Sequence, residues 1–149
     1  MAQGVPLSLF VPSAEPAPKI AIKFDYLPAH GPLPPGKTRT DVISKIIATL
    51  RVVKLPPTYG FVIGARLEDQ PADAAVLQAW RSAGNPLGNH GWSHMNLNQH
   101  SLEDFEQDVI WEEPLLTASM KDEGWHWFRH PFLAEGDRPA KGAGFRDFL

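Results

Sequence analysis

Residues 19–26 read KIAIKFDY, an apolar and partly β-branched run with an aspartate near its end, and they predict the first strand of the fold. Residues 27–37 form a loop rich in Pro and Gly, longer than a simple connection needs to be. Residues 40–50 then place apolar side chains at helical spacing, with Thr40 as the expected N-cap. A strand, a loop and a helix make one βα unit, and this unit sets the pattern for the rest of the chain.

The same alternation continues along the sequence. Further strands are predicted at residues 58–64, 86–92 and 125–133, and further helices at residues 72–83, from residue 101 onward and at residues 137–149. Pro114 lies inside the third helix, where we expect a kink or a break. Because helices separate the strands, we expect a parallel sheet and the α/β class, with about four βα units in a single domain over residues 19–149. Four prolines make residues 1–18 an extended lead-in.

The composition narrows the classes of protein to consider. Its 149 residues suffice for one domain with a buried core, and 43% apolar and 21% charged residues are ordinary for a folded protein. A net charge of −3 without a basic cluster argues against nucleic-acid binding, and no apolar run reaches the roughly 18 residues of a membrane span. The absence of Cys excludes disulfides, thiolate metal sites and a Cys nucleophile. Residues 5–11 are apolar but follow no basic residue, so they make a poor signal peptide.

Polar residues follow the predicted strands at the end where α/β proteins place their chemistry. His90 and His94, four residues apart, can converge on one divalent metal, and neutral imidazole suits zinc, nickel, cobalt or iron. The ordinary alternative is two polar loop residues. Asp25 ends the first strand and Arg129 lies in the fourth, and a guanidinium can hold a carboxylate with two hydrogen bonds. The alternatives are a turn-forming Asp25 and an Arg129 that is a surface charge.

Three motifs in this order carry a resemblance to a known family. They are KFDY at residues 23–26, HGWSH at residues 90–94 followed by MNLN, and RHPFLAEGD at residues 129–137. Together they resemble the polysaccharide deacetylases with NodB homology, or carbohydrate esterase family 4, over about residues 19–137. The resemblance implies part of a distorted, TIM-like (β/α) barrel. It also implies a metal-assisted hydrolase that removes N- or O-acetyl groups from carbohydrate, in a secreted or periplasmic protein.

The resemblance assigns roles to residues of this sequence. Asp25 corresponds to the general base that activates water, and Arg129 to the residue that orients this base. His90 and His94 correspond to ligands of one divalent metal ion, zinc in the first place and otherwise nickel, cobalt or iron. Candidate substrate-binding residues are Trp92, Pro131 and Phe132, and His130 is a candidate extra ligand or acid.

The sequence departs from the family pattern in two ways. Tyr26 stands in place of the aspartate that joins the histidines as a metal ligand, and a phenol with a pKa of about 10 must deprotonate to replace it fully. The family's later motifs, an Asp-containing one and a Leu-x-His with the general acid, do not occur here. Two alternatives therefore remain open: a hydrolase of activated esters or phosphoesters, and a non-catalytic or degenerate member that binds carbohydrate. A four-stranded parallel sheet also has two unpaired edges, and closing them predicts a homodimer.

Overall fold

The computed structural model describes residues 20–28, 31–121 and 123–149, so the lead-in predicted at residues 1–18 lies outside the described part. Strands and helices alternate as the sequence predicts. The elements are β1 (Lys23–Leu27), α1 (Arg39–Val52), β2 (Tyr59–Val62), the short α2 (Arg66–Asp69), α3 (Ala74–Ser82), β3 (Leu87–Asn89), α4 (Leu102–Met120) and α5 (Pro139–Phe148). Two 3₁₀ turns, Pro71–Asp73 and Pro131–Leu133, precede α3 and α5 respectively. No helix in the described part of the chain is long and apolar enough to cross a membrane.

Within the described residues, the strands form a parallel sheet in the order β1-β2-β3, which confirms the predicted α/β class. The predicted fourth strand at residues 125–133 is wrong in extent, because only Phe128 bridges to Asn89. Two hydrogen bonds flank this bridge, from Asn89 N to Trp127 O at 2.8 Å and from Arg129 N to Asn89 O at 3.0 Å. Pro131 then removes a backbone donor, and Phe132 and Leu133 both adopt φ 56°, so the chain turns away from the sheet.

One predicted helix detail is wrong, and one of the two alternatives predicted at Pro114 is excluded. The N-cap of α1 is Thr38 rather than Thr40: Asp41 N donates to Thr38 Oγ1 at 3.1 Å, and Thr38 N donates to Asp41 Oδ2 at 2.8 Å. Asp41 is the third helical residue after this cap, so one capping box provides acceptors for the backbone N–H groups of Thr38 and Asp41, which lack a partner within the helix. Helix α4 does not break at Pro114 but runs from Leu102 to Met120. The missing proline N–H removes a single helical hydrogen bond, which packing of the long helix tolerates.

Two apolar clusters hold the helices against the sheet. The larger one packs β1, β2 and β3 against α1, α3 and α4; among its buried members are Leu27, Ile43, Ile47, Val62, Val76, Trp80, Leu87 and Leu116. The second lies between α4 and α5 and is built from Leu97, Phe105, Val109 and Phe145. Because both clusters bury α4, this helix is fixed behind the loop that follows β3. The carboxyl ends of the strands stay open on the other side, where the polar motifs lie.

Candidate active site

An ion pair joins the end of β1 to the segment that bridges to β3. Arg129 Nε donates to Asp25 Oδ2 at 2.7 Å, and the side chains are 23% and 28% exposed. The other carboxylate oxygen, Asp25 Oδ1, is buried and has no hydrogen-bond partner among the described residues. Arg129 therefore holds the charge and orientation of Asp25 through one oxygen and leaves the second oxygen available to a proton donor.

The two histidines of the HGWSH motif lie beside this pair. The ring centroids of His90 and His94 are 4.8 Å apart. His90 is 2% exposed, and its Nδ1 lies 2.8 Å from Arg129 O, which can only accept, so Nδ1 carries the proton. Burial lowers the pKa of His90, which favours the neutral ring. A neutral imidazole with its Nδ1 proton fixed presents the Nε2 lone pair, the form in which His binds metals.

Tyr26 completes the group from β1. Its ring centroid lies 4.3 Å from that of His94 and 5.6 Å from that of His90. The pairing of β1 with β2 shifts register between Phe24 and Leu27, and within this irregularity Tyr26 adopts φ 67°. A bulky residue pays about 1 kcal/mol or more in the left-handed region, whereas Asp and Asn visit it more readily. The backbone at position 26 thus suits a short polar side chain better than a tyrosine.

Of the remaining predicted site residues, Phe132 lies beside the histidines, whereas Trp92 and His130 pack against other parts of the protein. Phe132 is 61% exposed and its ring lies 4.5 Å from the His94 ring, so it borders the site and faces solvent. Pro131 is buried.

The Trp92 ring instead lies over Gly64, where any side chain would collide with it. The His130 ring packs into the second apolar cluster, with centroids 5.1 Å from Phe128 and 5.2 Å from Phe145, and burial lowers its pKa.

The sequence model of the polysaccharide deacetylase family matches residues 13–146, which is most of the chain. The chain belongs to the polysaccharide deacetylase family. No curated protein sequence matches it.

Solved structures agree with this polysaccharide deacetylase fold. The peptidoglycan deacetylase PdaC from Bacillus subtilis has a TM-score of 0.57 at 23% identity, with 83% of this chain and 52% of that chain covered. A family 4 carbohydrate esterase from Streptomyces lividans, in complex with acetate, has a TM-score of 0.59 at 17% identity, with 87% and 58% covered. A mutant with restored activity of a family 4 pseudoenzyme from Bacillus anthracis has a TM-score of 0.63 at 17% identity, with 86% and 41% covered. The chain thus spans about half the length of these proteins.

Polysaccharide deacetylases are generally metal-dependent, so the side chains of this site that could bind a metal ion bear directly on its function. His90 and His94 fit a divalent ion in number, spacing and, for His90, in tautomer. The side chain that β1 places against them is the ring of Tyr26 rather than a carboxylate. Among the described residues, no three His, Cys, Asp or Glu side chains lie together as a metal site. The residues fit a metal through two imidazoles and lack the acidic third ligand.

Three buried polar residues behind the histidine loop were not predicted: Asn89, Asp108 and Glu112. Asn89 Oδ1 accepts from Gly91 N at 2.7 Å, and Asn89 Nδ2 donates to Val109 O at 2.9 Å. Asp108 and Glu112 lie one turn apart on the buried face of α4. A signal for them exists in the sequence, because both fall on the apolar stripe that contains Phe105 and Val109.

Proposed function

We propose that this polysaccharide deacetylase homologue is a metal-assisted hydrolase that removes N- or O-acetyl groups from carbohydrate. The observation that carries the proposal is the Asp25–Arg129 ion pair at 2.7 Å beside two imidazoles, with a buried Asp25 Oδ1 that has no partner among the residues the structure describes. A carboxylate held by a guanidinium is suited to take a proton from water. The names of the similar structures, a peptidoglycan deacetylase and a carbohydrate esterase with acetate, support the same class of substrate.

In this mechanism Asp25 Oδ1 takes the proton from the attacking water, and Arg129 holds the carboxylate in place from the opposite oxygen. His90 and His94 would hold one divalent ion, zinc in the first place, which supplies Lewis acidity to the acetyl carbonyl and lowers the pKa of water. The Arg129 carbonyl keeps the His90 Nδ1 proton in position. Phe132 offers an exposed aromatic face on which a sugar ring can stack.

The test is acetate release from acetylated chito- and xylo-oligosaccharides, measured with and without added zinc. Asp25→Asn keeps the shape of the site and removes the base, so kcat/KM should fall by about 10²- to 10⁴-fold. Zinc binding by calorimetry should stay unchanged in this variant, because Asp25 is not among the proposed ligands. Full activity in the Asp25→Asn protein would contradict the mechanism, and so would turnover in His90→Ala/His94→Ala.

A second candidate function follows from Tyr26, which supplies a phenol where the family's carboxylate ligand is expected. A site with two imidazoles and no acidic ligand binds metal weakly, and such a protein would bind carbohydrate without hydrolysing it. Binding of acetylated oligosaccharides without acetate release would favour this candidate. Hydrolysis of activated esters or phosphoesters alone would favour the other alternative, a hydrolase specific for such substrates, because good leaving groups depart without a general acid.

We also propose that residues 19–149 form one partial domain and that two copies associate. Exposed apolar side chains support the association, notably Trp111 at 56%, Trp127 at 62% and Leu149 at 63% exposure. Trp127 and Leu149 line one groove beside the Phe128 bridge, next to the unpaired edge of the sheet. Burying such a surface and edge in a twofold interface would remove both from water. Light scattering at micromolar concentration should give twice the chain mass, and a compact monomer would contradict this part of the proposal.

A further inference from the structure

The loop over residues 89–94 carries both histidines in a conformation that the chain does not favour by itself. Gly91 has φ 74° and His94 has φ 62°. A non-glycine residue in the left-handed region costs about 1 to 2 kcal/mol, so His94 needs its surroundings to hold it there. The hydrogen bonds of this loop therefore help to hold the His94 backbone in this conformation.

Each backbone N–H of this loop has an identified acceptor. Asn89 N donates to Trp127 O at 2.8 Å, His90 N to Val62 O at 3.1 Å and His94 N to Gly91 O at 3.4 Å. The Asn89 side chain accepts from Gly91 N at 2.7 Å. The two donors that remain both bond to Asp108: Trp92 N donates to its backbone carbonyl at 3.1 Å, and Ser93 N donates to Oδ1 at 3.0 Å. Asp108 therefore holds the stretch between the two histidines at two consecutive donors.

Asp108 also contacts the turn before this stretch. It is fully buried, and a Cβ added to Gly91 would lie 2.7 Å from Asp108 Oδ2. Oδ2 itself has no hydrogen-bond partner among the described residues. A buried carboxyl oxygen without a partner is destabilising.

Glu112, one turn further along α4, provides an internal comparison. It is also fully buried, its Oε2 accepts from Gly64 N at 2.8 Å, and its Oε1 has no partner in the described part of the chain. Glu112 thus bonds directly to the loop after β2 and reaches the histidine loop only through the next residue, where Ala65 N donates to Trp92 O at 3.0 Å, whereas Asp108 bonds directly to the histidine loop. The two carboxyls have the same helix, burial and kind of bond, and they differ in which backbone they fix.

We propose that Asp108 is a positioning residue for the histidine pair: by accepting from Ser93 N and Trp92 N, it fixes the His90–His94 loop so that the His94 ring lies beside the His90 ring. This inference rests on the proposed function, because the orientation of His94 matters for the reaction only if the pair binds a metal. The orientation itself is a property of the metal-free protein.

The experiment compares Asp108→Ala, Asp108→Asn and Glu112→Ala. Asp108→Ala removes the side-chain acceptor, and zinc affinity measured by calorimetry should fall by about tenfold to a hundredfold, as for other outer residues that orient metal ligands. Asp108→Asn keeps an oxygen for Ser93 N and should restore zinc binding to within threefold of the original protein, as an order-of-magnitude expectation. Glu112→Ala should destabilise the fold while leaving zinc affinity unchanged. An equal loss of zinc affinity in both alanine variants would overturn the proposal.

A metal-free readout separates this inference from the proposed function. In ¹⁵N spectra of the imidazole nitrogens without metal, Asp108→Ala should shift the His94 signals, and Glu112→Ala should not. If the original protein binds no zinc, the proposed function loses its metal, and these spectra still decide the role of Asp108. If Asp108→Ala does not fold, hydrogen exchange of the original protein decides: a Ser93 amide that exchanges at the rate of an unstructured peptide overturns the proposal, and a protected one supports it.

Discussion

The carboxyl ends of the strands and the buried face of α4 both hold carboxyl groups, but in opposite environments. Asp25 is 28% exposed and pairs with the Arg129 guanidinium. Asp108 and Glu112 are fully buried, and the hydrogen bonds to their side chains come from the backbone N–H groups of Ser93 and Gly64. The difference shows a division of roles. Asp25 bonds through one oxygen to a side-chain guanidinium, whereas the two buried carboxyls each bond through one oxygen to the backbone of a loop.

The largest effect expected from this difference is a loss of stability with rising pH, caused by Glu112. Burial raises the pKa of Glu112 from 4.5 to about 8, and the nearby Asp108 adds to the increase. Between these values the unfolded chain gives up the proton and the folded chain keeps it, so the unfolded state binds fewer protons and stability falls as pH rises. The free energy of unfolding should fall by up to about 1.4 kcal/mol per pH unit across that range.

Urea unfolding of the original protein and Glu112→Gln at several pH values measures this effect. An amide oxygen still accepts from Gly64 N, so the variant should retain the fold and lose most of the slope. Glu103→Gln, at an exposed position of the same helix, is the matched control. The same slope in Glu112→Gln would show that another group causes the dependence.

A smaller effect is expected when a second carboxylate is added at the carboxyl ends of the strands. Tyr26→Asp places an acid beside the two imidazoles, on a backbone with φ 67° that Asp adopts more easily than Tyr. Zinc affinity by calorimetry should rise at least tenfold, equivalent to about 1.4 kcal/mol. Tyr26→Asn relieves the backbone in the same way without adding charge. Equal zinc affinities in these two variants would mean that position 26 does not supply a ligand.

The smallest effect concerns the contribution of the partly buried Asp25–Arg129 pair to stability. Removing the charge in Arg129→Gln should lower the free energy of unfolding by about 1 kcal/mol or less, because the pair is partly solvated. Acetate release should nevertheless fall, since the base loses its orientation. Urea unfolding beside the activity assay tests both statements. A loss of stability above about 3 kcal/mol would mean that this pair behaves as a buried one.

The sequence predicts the site at the carboxyl ends of the strands much better than the buried face of α4. Asp25 lies in β1, the histidines follow β3 and Arg129 follows the Phe128 bridge, so all of them lie at the carboxyl ends of parallel segments and their proximity follows from topology. The fourth strand was overextended because the apolar residues before Pro131 resemble a strand, while the turn depends on backbone angles at Phe132 and Leu133. The left-handed Tyr26 depends on a register shift between β1 and β2, which no local pattern encodes. Asp108 is one of six acidic residues in α4, and although it falls on the apolar stripe, acids in an amphipathic helix are usually solvated, so the sequence alone does not single it out.

Arg129 serves the site through two chemically independent groups, its guanidinium on Asp25 and its main-chain carbonyl on His90 Nδ1. A substitution at this position removes the first contact and leaves the second, because every amino acid has the same carbonyl. A substitution that breaks the ion pair would thus spare the hydrogen bond that fixes the His90 ring. The orientation of the carboxylate and the orientation of the imidazole are therefore separable at this one position.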